Sequence, residues 1–307
     1  MPYKKICVLG LGYIGLPSAA LFASKKKNVI GVDINQSIVK KLNKGKIHFS
    51  EPGLMTLVTK VIKNGFLKVS SKIDVADVFI IAVPTPFKLG KNGTNPQPDC
   101  RFIFDAVLSI SKVIKKGDLI ILESTVPVGT TEEISKILKK CRADLNFPHE
   151  ITESPDINIA YCPERVLPGN ILKELVLNDR VLGGLTKKCS SRAKTFYKNF
   201  IKGKCIVTDA KTAEMVKLTE NASRDLQIGF ANELSIICDE LNINVWHLIE
   251  LANKHPRVNI LNPGPGVGGH CIAVDPWFIV DKNPRNSKLI KTSREVNDSK
   301  PNWVIKK

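Results

Sequence analysis

KICVLGLGYIGLPSAALFASKKKNVIGVD, residues 5–33, reads as a strand, a glycine turn, a helix and a second strand in immediate succession. The β-branched run KICVL leads into Gly10-Leu11-Gly12-Tyr13-Ile14-Gly15, which fits GxGxxG, and an apolar helical run follows at once. Asp33 ends the next strand, 23 residues after Gly10. Glycine lets the backbone turn tightly and approach a phosphate closely, and a helix N-terminus favours negative charge. A carboxylate at Asp33 accepts from both ribose hydroxyls and repels a 2′-phosphate, which favours NAD over NADP. The competing reading is a glycine turn that only packs a helix on a sheet.

The same alternation continues outward from this stretch. DVFIIAV, DLIILES, INIAYC, RVLGG and KCIVTD are short runs whose near-continuous apolar character is that of a parallel sheet covered on both faces. Segments 14–24, 35–44, 53–64, 99–115, 130–140 and 188–200 are long enough for crossover helices. Residues 1–210 are therefore expected to form a Rossmann-type, doubly wound α/β domain with a parallel sheet. From Lys211 the period changes. Residues 211–242 contain no proline and predict one long helix with a weak point near Gly229. A helix around VWHLIELAN, the Gly/Pro-rich loop HPRVNILNPGPGVGGHCIAVDP and a helical stretch from about Pro284 follow, so residues 211–307 predict an all-helical central domain.

With 307 residues, 43% hydrophobic and 24% charged, the chain has the mixture of an ordinary globular protein and room for two cores. No apolar run reaches the roughly 20 residues of a membrane-spanning helix, and a strand begins almost at the N-terminus. Neither a membrane partner nor a leader is expected, and the expected location is cytoplasmic. The eight cysteines include no CxxC pair, so no metal site is expected. The net charge of +17 raises the question of nucleic acid, but the lysines are scattered in short groups (25–27, 40–41, 115–116, 139–140, 187–188) without interleaved aromatics. They read as solvated helix ends and loops, and no nucleic-acid partner is expected.

Two later strand ends reach the same crevice as the glycine turn. Thr85 follows IIAVP, and Ser124 and Thr125 lie in ESTVPVGTT; beside prolines such residues are also ordinary turn formers. Glu164, Arg165 and Val166 follow the strand INIAYC, where an acidic residue suits a ligand site or a helix N-terminus equally. On the long helix Lys217, Asn221 and Arg224 fall at i, i+4 and i+7 and share a face. That face is either a solvated stripe or one that grasps an oxygen-rich ligand. Cys271 sits in GPGVGGHCIAVDP, where glycines let other groups approach the sulfur. A thiol is a strong nucleophile once its thiolate is favoured.

Six motifs, GLGYIGLP (10–17), STVPVGTT (124–131), PERVLPGN (163–170), EMVKLTENASRDLQIGFANE (214–233), GVGGHCIAVDPWF (266–278) and REVNDSKP (294–301), together resemble the UDP-glucose/GDP-mannose dehydrogenase family over the whole chain. Ser223-Arg224-Asp225 and His270-Cys271 resemble its N-acetylhexosamine branch. The resemblance implies a four-electron, NAD-dependent oxidation of the C6 alcohol of UDP-N-acetyl-D-mannosamine to the uronate, for surface polysaccharide, with UDP-N-acetylglucosamine as the alternative sugar. It implies that Gly10, Gly12, Tyr13, Ile14, Gly15, Asp33, Thr85 and Thr125 bind NAD. Cys271 would capture the C6 aldehyde as a thiohemiacetal and then hold a thioester that water hydrolyses. Lys217 and Asn221 would hold the C6 oxygen, with Lys217 as acid/base, and Glu164 and Asp275 would activate or position water. Arg165, Val166, Arg224, His255, Arg257 and Gly268 would line the substrate pocket. A homodimer through helix 211–241 is implied as well. Family members continue into a C-terminal domain that binds the nucleotide diphosphate, so a chain lacking it is expected to bind NAD and turn over poorly, or to be an inactive NAD-binding homologue.

Overall fold

The computed structural model describes residues 3–88, 96–151, 153–269 and 271–307. Its strands are β1 (Lys5–Leu9), β2 (Asn28–Val32), β3 (Leu67–Ser70), β4 (Val78–Ile81), β5 (Phe87–Lys88), β6 (Gln97–Pro98), β7 (Leu119–Leu122), β8 (Asn158–Tyr161), β9 (Arg180–Gly184) and β10 (Cys205–Asp209). Its helices are α1 (Gly15–Ser24), α2 (Gln36–Asn43), α3 (Leu54–Lys63), α4 (Arg101–Ser111), α5 (Thr130–Cys141), α6 (Ile171–Leu177), α7 (Lys187–Tyr197), α8 (Ala210–Glu240), α9 (Val245–Ala252), α10 (Asp275–Lys282) and α11 (Lys288–Lys306). The chain forms two compact units, Met1–Thr85 with Cys100–Met215, and Pro86–Asp99 with Val216–Lys307. The sequence reading divides the chain once, at 210; the chain itself also sends the short excursion 86–99 into the helical unit.

In the first unit an eight-stranded sheet has the order β10-β9-β8-β7-β4-β1-β2-β3. Its central strands are apolar throughout, and Val78, Phe79, Ile80 and Ile81 of β4 are fully buried because helices cover both faces. From β1 the chain moves one way through β2 and β3, then the other way through β4, β7 and β8. The direction reverses between β1 and β4, so the loops leaving those strands diverge and open a crevice at their carboxyl ends. The expected parallel sheet is present except that β9 runs antiparallel to β8, with β10 parallel to β9. A parallel return needs a long crossover; between β8 and β9 the only helix is the seven-residue α6. β3 and α6 were not anticipated from the sequence: LKVS is four residues long and only half buried, and α6 follows a Pro-Gly turn that reads as loop.

Beneath the carboxyl ends of β7 and β8 lies a buried ionic cluster. Arg180 pairs with Glu164 at 2.8 Å, stands 4.0 Å from Glu123 and stacks over the Tyr197 ring at 4.7 Å. Glu123 accepts from Tyr197 Oη at 2.6 Å and from Ser18 Oγ at 3.4 Å. Burial raises the Glu123 carboxyl to about 7, against the opposing pull of Arg180. Between its ordinary value of 4.5 and about 7 the folded chain therefore holds a proton that the unfolded chain has released. Stability falls as pH rises through that window.

In the second unit α8 runs through Gly229 without a break. A Cβ there would lie 2.3 Å from Ser293 Oγ and 3.2 Å from Ser293 O, so the glycine is where α11 crosses α8 closely rather than a weak point. Two predictions follow from this packing. Gly229→Ala gains helix propensity of about 1 kcal/mol but loses more to overpacking, by roughly 1–3 kcal/mol, and is expected to lower the thermal midpoint. Glu123→Gln is expected to flatten the pH dependence of stability: between pH 5 and 7.5 urea unfolding of the wild type should lose about 2–3 kcal/mol more than that of the variant.

Candidate active site

The glycine turn joins the crevice edge through its backbone. Gly10 has φ +87°, and a Cβ on it would stand 2.6 Å from the Ala82 carbonyl oxygen beyond β4. At Gly15 a Cβ would overlap the Gly10 carbonyl oxygen at 1.8 Å, so neither position tolerates a side chain. Around Gly12, by contrast, nothing lies within 4 Å of where a Cβ would project. Asp33 Oδ2 accepts from Leu11 N at 2.9 Å and Oδ1 from Asn35 N at 2.8 Å, which fixes the carboxylate beside the turn while leaving lone pairs for ribose hydroxyls. Tyr13 is half exposed and stacks on Phe49 at 4.2 Å; Ile14 is the N-cap of α1.

The helix N-termini at this edge are occupied differently. The start of α5 is filled by Glu214, a fully buried carboxylate that accepts from Gly129 N at 2.6 Å, Thr131 N at 2.8 Å and Thr131 Oγ1 at 2.6 Å. The start of α1 has no side-chain cap and no acidic residue in its first turn. Its amide groups are thus the ones that suit a pyrophosphate, and the residues present fit NAD. Thr85 Oγ1 donates to the Thr125 carbonyl at 2.6 Å, and Ser124 Oγ to the Val83 carbonyl at 2.7 Å, so the loops after β4 and β7 are tied together. Glu214 carries no distinctive signal in the sequence, because its partner α5 is 83 residues away.

Glu164 is buried. Its Oε1 accepts from Arg165 N at 2.8 Å, and Arg180 pairs with its other oxygen. Arg165 Nη2 donates to the Asp179 carbonyl at 2.7 Å, while Val166 packs against the hydrophobic core.

In the helical unit the structure gathers four of the predicted residues. Asn221 Nδ2 donates to Asp275 Oδ2 at 2.5 Å, joining α8 to the first residue of α10. Cys271 sits one turn before α10, its carbonyl accepting from Val274 N at 3.0 Å and Asp275 N at 2.9 Å. Burial raises the Asp275 carboxyl to about 6, opposed by Asn221 and the Lys217 ammonium. Cys271 is exposed as a residue, yet partial withdrawal of its sulfur from water raises the thiol; Asp275 adds to the rise and Lys217 opposes it. In this structure the thiol form is therefore favoured, first by burial of the sulfur and then by the nearby Asp275 carboxylate.

The face that bears Lys217 and Asn221 continues to Asp225, at i+8, whereas Arg224 is exposed. His255 and Arg257 are exposed in the turn after α9, and Gly268 is exposed in the loop before Cys271. His270 lies outside the described residues. Asp225 and its partner Arg294, which is fully buried on α11, stand in motifs that the sequence displays, but neither has a role assigned there. The REVNDSKP motif was visible, but the sequence contains no sign that its arginine turns inward. Among the described residues no group of His, Cys, Asp and Glu could hold a metal ion, and no helix is long and apolar enough to cross a membrane.

Residues 4–201 match the NAD binding domain of the UDP-glucose/GDP-mannose dehydrogenase family, and residues 211–299 match its central domain. The chain is 63% identical over 305 residues to a UDP-N-acetyl-D-mannosamine dehydrogenase of Campylobacter jejuni, covering 99% of this chain and 74% of the relative. It is 58% identical over 303 residues to an NDP-N-acetyl-D-galactosaminuronic acid dehydrogenase of Ralstonia nicotianae, covering 99% of this chain and 70% of the relative. The solved UDP-D-ManNAc dehydrogenase of Pyrococcus horikoshii superposes with a TM-score of 0.89 at 40% identity, covering 98% of this chain and 70% of that one. With both domains matched in order and an open anion site above the glycine turn, the chain belongs to the UDP-glucose/GDP-mannose dehydrogenase family and is an NAD-dependent nucleotide-sugar oxidoreductase.

Proposed function

We propose that the chain oxidises the C6 alcohol of UDP-N-acetyl-D-mannosamine to the carboxylate, supplying a sugar acid for surface polysaccharide, with Cys271 as the covalent nucleophile. The observation that carries this reading is the grouping of Lys217, Asn221 and Asp275 around an otherwise exposed thiol. The 63% identical relative named for that substrate supports the choice of sugar. The 58% identical relative named for N-acetyl-D-galactosaminuronic acid makes a galacto-configured N-acetylhexosamine the second reading, beside N-acetylglucosamine.

Bound NAD supplies the hydride acceptor, one molecule for each of the two oxidations. Gly10, Gly12, Tyr13, Ile14, Gly15, Asp33, Thr85 and Thr125 hold it at the crevice. In its amine form Lys217 takes the C6 hydroxyl proton, and as the resulting ammonium it donates, with Asn221, to the oxygen that carries the negative charge when Cys271 Sγ bonds to the aldehyde carbon. The raised thiol passes its proton to that oxygen as sulfur bonds to carbon, giving the thiohemiacetal hydroxyl, and the positive charge of Lys217 favours the thiolate character of the attacking sulfur. After loss of the second hydride Cys271 holds the acyl group as a thioester, which keeps the intermediate from diffusing away. Asp275, whose carboxyl burial raises to about 6, is suited to take and return a proton as water cleaves that bond. Glu164, held by Arg180, positions the water. Arg165, Val166, Arg224, His255, Arg257 and Gly268 line the substrate pocket.

The chain is also inferred to dimerise through α8. Phe230, Leu234, Ile237 and Leu241 fall at i, i+4, i+7 and i+11, and Phe230, Ile237 and Leu241 are 53%, 45% and 62% exposed. An apolar seam of that spacing suits a second helix.

Cys271→Ser is expected to bind NAD within about twofold of wild type while steady-state uronate formation, followed as NADH absorbance with UDP-N-acetyl-D-mannosamine, drops at least about 1000-fold. Uronate formation near the wild-type rate would overturn the covalent role. Ile237→Asp is expected to convert the dimer to a monomer by light scattering; an unchanged mass would place any interface elsewhere.

A further inference from the structure

The loop that carries Cys271 is held at three points, and all three lead to α11. Asn232, fully buried on α8, accepts from Gly264 N at 2.8 Å and donates to Asn297 Oδ1 at 2.8 Å. Asn297, also fully buried, donates to the Asp225 carboxylate at 2.8 Å and to the Asp225 carbonyl at 3.0 Å. The Arg294 guanidinium pairs with Asp225, bonds Asp298 at 2.9 Å and reaches the carbonyl of Ile272, the residue after Cys271, at 3.5 Å. Between these points Pro301 Cγ lies 2.8 Å from where a Cβ on Gly266 would stand.

Arg294, Asn297 and Pro301 form one face of α11 at i, i+3 and i+7. Lys217, Asn221 and Asp225 form one face of α8 at i, i+4 and i+8. Arg294 joins the two faces at Asp225 while its other contact fastens the loop beside Cys271. A buried ion pair of this kind adds little stability compared with apolar packing, whereas it fixes direction and distance. We propose that Arg294, Asn297 and Asn232 are positioning residues for the oxidation, locking the 264–272 loop so that Cys271 stands at one place relative to Lys217 and Asn221.

This rests on the reading of Cys271 as nucleophile, and the test separates the two. Arg294→Lys keeps the charge opposite Asp225 and Asp298 but is too short for the loop carbonyl. The full-length variant is treated with iodoacetamide at pH 7.5, and modification of Cys271 is measured by peptide mass relative to Cys141, an exposed thiol of the other unit. With the loop released, the sulfur leaves the surroundings and the Asp275 carboxylate that raise its thiol, and moves away from the opposing Lys217. Cys271 is therefore expected to react about fivefold faster relative to Cys141, while kcat with UDP-N-acetyl-D-mannosamine falls at least about tenfold and KM and NAD affinity stay within about twofold. Faster alkylation with slower turnover is a pair of shifts that general destabilisation, which would also weaken NAD binding, does not produce. An unchanged Cys271-to-Cys141 ratio in a variant that binds NAD overturns the proposal. A changed ratio alongside full turnover by Cys271→Ser supports positioning and removes the nucleophile assignment instead. Should Arg294→Lys not yield NAD-binding protein, Asn232→Ser, which loses the Gly264 bond, decides by the same ratio.

Discussion

The absence of side chains at Gly10 and Gly15 is the constraint on which the cofactor end depends. The Gly10 carbonyl occupies the space that a Cβ of residue 15 would need, and the Ala82 carbonyl occupies that of residue 10. Backbone meets backbone at the point where strand order reverses, and α1 begins there with no side-chain cap and no acidic residue in its first turn. Asp33 then closes the turn by accepting from Leu11 N. One local geometry therefore sets the phosphate site, the direction of the first helix and the place of the ribose carboxylate. Glu214 fills the helix terminus at α5, whereas the start of α1 carries no side-chain cap.

The helical unit is organised by a different principle. Its apolar core is modest, and its buried contacts are rich in polar groups: Asp225, Asn232, Asn297, Arg294, Ser293 and Lys300 are all nearly inaccessible. Amides and charges are directional, so they specify register between α8 and α11 more sharply than aliphatic contacts of equal area. Gly229 permits the approach that brings those groups within bonding distance. The residues proposed for the chemistry stand at the edge of this network rather than in it, with the Asn221–Asp275 bond as the link. That separation lets Cys271 remain accessible while its backbone is held.

Much of this was legible in the residues. The glycine turn, Asp33, the alternation of strands and helices and the proline-free run of α8 depend on local spacing, which a chain displays without folding. Lys217 and Asn221 could be assigned to one face by period alone, although whether that face was solvated stayed open until Asp275 was seen against it. β3, α6 and α10 escaped detection because short elements beside Gly and Pro carry too few periods to stand out. The reversal of β9 escaped because strand direction depends on where the chain re-enters the sheet.

The sequence by itself determined the fold class, the glycine turn and the family, and it displays the residue types proposed for the chemistry. These are properties of residue type and spacing along the chain. Only the tertiary structure decided the electrostatic state of those residues: that Asp275 is raised by burial, that Cys271 is raised with it, that Glu164 is held by Arg180, and that Arg294 turns inward to Asp225. Charge effects and desolvation depend on distance in space and on excluded water, and neither is written in the order of the residues.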